Sequence, residues 1–75
     1  MKELLETIAK ALVDYPEEVT VNEIEGEKSI ILELRVAADD MGKVIGKQGR
    51  IAKAIRTVVK AAAVKENKRV VIEII

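Results

Sequence analysis

Two glycines three residues apart, Gly46 and Gly49, bracket Lys47 and Gln48 between stretches that both read as helix. Glycine in a helix interior costs about 1 kcal/mol relative to alanine, so a paired interruption marks a turn. Without Cβ atoms, the two positions let backbone come very close to another group. The second helix then begins at about Gly49 or Arg50, with its free N–H groups and positive dipole end at the turn. Lys43, Lys47, Arg50 and Lys53 surround that end with mobile positive charge, an arrangement suited to an anion such as a phosphate backbone. Two glycine-rich nucleotide loops fail on spacing. A P-loop needs four residues between its glycines and Ser or Thr after the lysine, but Gly42 and Gly46 enclose three and Gln48 follows Lys47. A dinucleotide fingerprint needs glycine where Val44 stands. Taken alone, a glycine pair of this spacing is also what an ordinary helix–helix corner carries for packing.

Net charge is zero, but the two halves of the chain are opposite. Residues 1–40 hold eleven carboxylates against four cations, a net of −7; residues 41–75 hold nine cations against two carboxylates, a net of +7. Such a split describes a polar molecule with one anion-seeking side, unless the halves pair with each other or copies stack head to tail. The chain has 75 residues, enough for one small domain spanning 1–75. It has no cysteine and no histidine, which removes disulfides, thiolate chemistry, the usual general base and the soft metal ligands. Neither a cofactor nor a metal is expected. No apolar run is long enough to cross a membrane and the charged N-terminus does not read as a signal peptide, so a cytoplasmic location is expected.

From Lys2 to about Asp14, Leu4, Leu5, Ile8, Ala9, Leu12 and Val13 form one stripe at helical spacing. Pro16 ends that helix, because the residue before proline is pushed out of the helical region. Val19 to about Glu25 reads as a strand, with Ile24 out of phase and hence a bulge or an early end there. A turn at Gly26, free to take positive φ, leads to the clearest strand, Ser29 to about Ala37. In that strand Ile30, Leu32, Leu34 and Val36 alternate with Glu33 and Arg35. Asp39 or Asp40 is placed to cap a short helix over Met41–Ile45. The longest helix covers about Arg50 to Val64, with Ile51, Ala52, Ile55, Val58, Val59 and Ala62 expected inside and Lys53, Arg56 and Lys60 on another face. Asn67 stops it, and Arg69–Ile75 closes the chain as a strand whose Val71 and Ile75 point away from the core. The order α-β-β-α-α-β predicts an α+β fold, three helices on one face of a three-stranded mixed sheet, since a helical crossover before the last strand makes one pairing parallel.

Val44-Ile45-Gly46-Lys47-Gln48-Gly49 in a β-α-α-β frame resembles the signature of a KH domain, and the helix and strand preceding that frame resemble the type II arrangement. Over essentially its whole length the chain is similar to the KhpA family of small, single-domain bacterial RNA-binding proteins. The likeness is carried by the Leu12–Pro16 corner, the Gly26 hairpin, and Gly42 through Arg56. Ala52 is small where many KH domains carry a larger aliphatic. The resemblance implies single-stranded RNA held by its backbone at the glycine turn, about four nucleotides long. It implies contact by Gly46, Lys47, Gln48, Gly49 and Arg50, steering by Lys43, Lys53 and Arg56, and an apolar groove wall from Ile45 and the strand Ile30–Val36. It also implies an RNA chaperone or post-transcriptional regulator, used as a homodimer or as a heterodimer with a KhpB-like KH protein. Tyr15 is the only aromatic residue, which excludes the base-stacking platforms of RRM and OB folds. A KH-fold adaptor working mainly through dimerisation is the alternative. An enzyme is not expected, because Asp39 and Asp40 form the sole adjacent carboxylate pair near the turn and no nucleophile–base set accompanies them.

Overall fold

The computed structural model describes all residues, Met1–Ile75. Helix α1 spans Lys2–Leu12, strand β1 Thr20–Glu25, strand β2 Ser29–Arg35, helix α2 Met41–Ile45, helix α3 Arg50–Lys65 and strand β3 Arg69–Ile74. Single 3-10 turns at Pro16–Glu18, Ala38–Asp40 and Lys47–Gly49 punctuate the connections. The sheet order is β1-β2-β3, antiparallel between β1 and β2 and parallel between β2 and β3. Adjacent parallel strands require a crossover, and α2, the glycine turn and α3 provide it.

Period-two patterning in the strands sets one face against the helices. Val21, Ile30, Leu32, Leu34, Val70 and Ile72 are all buried there, with Leu32 and Leu34 wholly so. They meet Leu5 and Ala9 of α1 and Ile55, Val59 and Ala63 of α3 in one cluster. Full burial of such an aliphatic side chain contributes about 1.5–3 kcal/mol, and this cluster is what holds α1 and α3 side by side on the sheet.

Four local expectations are corrected. Ile24 introduces no bulge: β1 runs in unbroken register, Glu23 opposite Leu32 and Ile24 opposite Ile31, and Ile24 lies on the outer face beside Ile31 and Val71. Gly26 does not use positive φ; its N–H donates to Ser29 O at 2.7 Å and closes the hairpin tightly. Ala52, Ile55 and Val59 of α3 are buried as expected, but Ala63 is buried with them and Val58 is half exposed. α3 must face both α1 and the sheet, and that two-sided demand sets its rotation. Finally, neither Asp39 nor Asp40 caps α2 through its side chain. Asn67 does end α3, in the left-handed region at φ 58°, while the Lys68 N–H reaches back to Ala63 O at 3.2 Å.

Candidate nucleic-acid interface

α2 stops because Gly46 takes φ 74° and ψ 175°, a region closed to residues with a Cβ, after its N–H has bonded to Gly42 O at 2.8 Å. A Cβ on Gly46 would stand 2.6 Å from Ile51 Cγ1, so the close approach that this glycine permits is to the protein's own first α3 residues. Gly49, at φ 73°, faces open space instead. Between them Gln48 is also left-handed, at φ 57° and ψ 25°, and the Gly49 N–H bonds to Gly46 O at 3.2 Å. The unusual conformations of Gly46, Gln48 and Gly49 hold Lys47 and Gln48 out in solvent. α3 then starts at Arg50 with no side-chain cap, leaving its first N–H groups and dipole end at the turn.

Of the expected site residues, Ile45, Gly46, Lys47, Gln48, Gly49 and Arg50 form this continuous corner, with Ile45 37% exposed. Lys53 follows on the first turn of α3, exposed, and Lys60 continues the stripe two turns further on. The molecule's four ion pairs engage Lys2 and Lys10 with Glu6, Lys43 with Asp14, and Lys68 with Glu25. None engages Lys47, Arg50, Lys53, Arg56 or Lys60. The basic half of the chain is therefore not consumed by the acidic half, and the turn and α3 carry uncompensated positive charge.

Lys43, expected to steer RNA, is engaged within the protein. Its ammonium donates to the Asp14 carboxylate, and that bond raises its pKa above the ordinary lysine value. Asp40, expected as a helix cap, is completely buried; its Oδ1 and Oδ2 accept the N–H groups of Asp14 and Tyr15, each at 3.0 Å. A carboxylate taking two backbone donors clasps the corner after α1 to the segment entering α2. Local pattern hides this, because the partners lie 26 and 25 residues upstream.

The groove wall also has to be reassigned. β2 is the central strand, with Ile30, Leu32 and Leu34 closed inside the core, so these three side chains offer no wall to a ligand. The exposed edge beside α3 belongs to β3. A groove of about 440 Å³ lies between them, lined by Lys60 and Val64 of α3 and by Lys68, Arg69 and Val71. Sequence alone did not place these residues together, since which strand stands at the edge depends on pairing order. Ala52 is buried in the core at 4% exposure and does not shape this groove. On the other flank of α3, Leu4, Ile8 and Leu12 of α1 and Ile51, Ala54 and Val58 of α3 line a second, almost wholly apolar cleft of about 470 Å³.

No helix of the protein is long and apolar enough to cross a membrane. No solved structure matches the chain. A family model described as KhpA/KhpB, KH domain, matches residues 2–74. The chain is 81% identical to a protein of Clostridium acetobutylicum named RNA-binding protein KhpA, with both chains covered in full. A protein of the same name from Clostridium perfringens is 79% identical, again over the full length of both. One from Aquifex aeolicus is 55% identical, covering all of this chain and 95% of the relative. The chain belongs to the KhpA/KhpB family of KH-domain proteins.

Proposed function

We propose that this chain is a single-stranded RNA-binding protein that holds the RNA backbone at the Gly46–Gly49 turn. The observation that carries the reading is the run of unpaired cations, Lys47, Arg50, Lys53, Arg56 and Lys60, beginning at an uncapped helix N-terminus. Phosphates would lie against the turn and the α3 N–H groups, with Lys47, Gln48 and Arg50 reaching over them. Bases would enter along Ile45 and the free edge of β3, where unpaired backbone groups and the Val64 side chain serve in place of aromatic stacking. The relatives' name, RNA-binding protein KhpA, supports the same reading. The role is that of a cytoplasmic RNA chaperone or post-transcriptional regulator without a catalytic step, carried by residues 1–75 as one domain.

Fluorescence anisotropy with a short labelled single-stranded RNA tests the site. Wild type binds weakly, with a log–log salt slope near −2 to −3 for about three or four phosphates at about 0.7 each. Replacing Lys47→Asp together with Gln48→Asp abolishes binding while circular dichroism stays native, because the turn is exposed and the new charges oppose both phosphate and helix dipole. Native-like binding by the folded double variant, or a flat salt response, defeats the proposal.

The apolar cleft between α1 and α3 supports a second role in self-association. Val58 and Leu12 are 50% and 37% exposed there, and Thr7, Ala11, Ala54 and Ala61, all exposed, keep the flanks of both helices small and uncharged. A second copy offers the same strip about a twofold axis, and a KhpB-like KH protein is the alternative occupant. The cleft meets the RNA turn at Arg50 and Ile51, so sedimentation accompanies the binding measurement.

A further inference from the structure

Lys43 stands three residues before Gly46, yet its ammonium is already held by a carboxylate from the corner after α1. Both partners are exposed, Lys43 at 45% and Asp14 at 67% of their side chains, so the pair is weak and open to exchange with solvent ions. Asp14 itself is not free to leave. Its N–H is bonded to Asp40 Oδ1 at 3.0 Å, the next N–H, of Tyr15, to Oδ2 at 3.0 Å, and Asp40 is wholly buried. Asp40 immediately precedes α2, the helix that carries Lys43. The Asp14 backbone and the cation are thus tied to one short element, which keeps the carboxylate within reach of Lys43 as a rival to any phosphate at the turn.

We propose that Asp14 sets the affinity of the turn for RNA: it occupies Lys43 as an internal substitute for a phosphate, and RNA gains Lys43 only by displacing it. The inference rests on the glycine turn being the RNA site. Asp14 is a positioning residue here, acting on RNA through Lys43 and touching none itself. A diffuse effect of its charge is the rival explanation, and a double-mutant cycle separates the two.

Wild type, Asp14→Asn, Lys43→Met and the combined variant are titrated with a short fluorescein-labelled single-stranded RNA over a range of salt, with thermal melts confirming that each is folded. Asp14→Asn tightens binding by about two- to fivefold at low salt, the range available from an exposed ion pair. It also steepens the log–log salt slope by about 0.7, one further phosphate contact on a single strand. In the Lys43→Met background the same substitution leaves affinity and slope where Lys43→Met alone put them. A gain that persists without Lys43, or no gain at all, overturns the inference. The Lys47→Asp, Gln48→Asp variant is run alongside: if it binds as wild type, the turn reading itself has failed, whereas lost binding there with a neutral Asp14→Asn rejects the role of Asp14 alone.

Discussion

An alanine Cβ at position 46 would meet Ile51 Cγ1 at 2.6 Å in a backbone region only glycine occupies, whereas one at position 49 meets nothing within 4 Å. The two glycines of the turn therefore differ in what they protect. Gly46→Ala is expected to destabilise the protein by about 3 kcal/mol or more, combining backbone strain with a displaced Ile51. Gly49→Ala is expected to cost about 1–2 kcal/mol, from the left-handed conformation alone. Urea unfolding of the two variants checks the order; equal losses would contradict the contact with Ile51. The glycine spacing was legible in the chain because positive φ is a local demand. The fate of Asp40 was not, since a buried carboxylate and a helix cap have the same local signature and differ only in which distant N–H groups arrive.

Among the elements, the α3–β3 corner is tied across the sheet to the end of β1 by Lys68 and Glu25. A hydrogen bond from Lys68, then its charge, holds the Glu25 carboxyl below its ordinary value of 4.5. Because the folded value lies below the unfolded one, the pair contributes fully above that ordinary range and its contribution is lost as pH falls through the folded value. Glu25→Gln is thus expected to lower stability slightly at about pH 7 and to match wild type once the pH has fallen below the folded value, measured by urea midpoints. A deficit that persists in acid would mean that packing, and not charge, joins the two ends. Element type and order were readable from periodicity, as Ser29–Arg35 illustrates with its alternating burial. The exact edge of the buried face of α3 was not, because Val58 satisfies a helical stripe as well as Ala63 does; only the positions of α1 and the sheet distinguish them.

At the scale of the whole molecule, α3 separates two surfaces of different chemistry. One flank carries the basic stripe and the β3 edge, and the other carries the apolar cleft with α1. If copies associate through the cleft, Val58→Asp buries an unpaired charge at the contact and weakens self-association by about tenfold or more in sedimentation. The fold is expected to survive, since Val58 is half exposed in the single chain. An unchanged sedimentation profile of an associating protein would place the contact elsewhere. Residue type and spacing determined the α-β-β-α-α-β order, the glycine turn, the basic half and the absence of His and Cys chemistry, because these follow from short-range sterics and from charge counts. Tertiary structure alone decided that β2 is central and β3 exposed, that Asp14 takes Lys43 while the cations of α3 stay free, and that Val58 faces solvent. Each of these depends on which groups distant in the chain are brought into contact, and a one-dimensional pattern carries no record of that pairing.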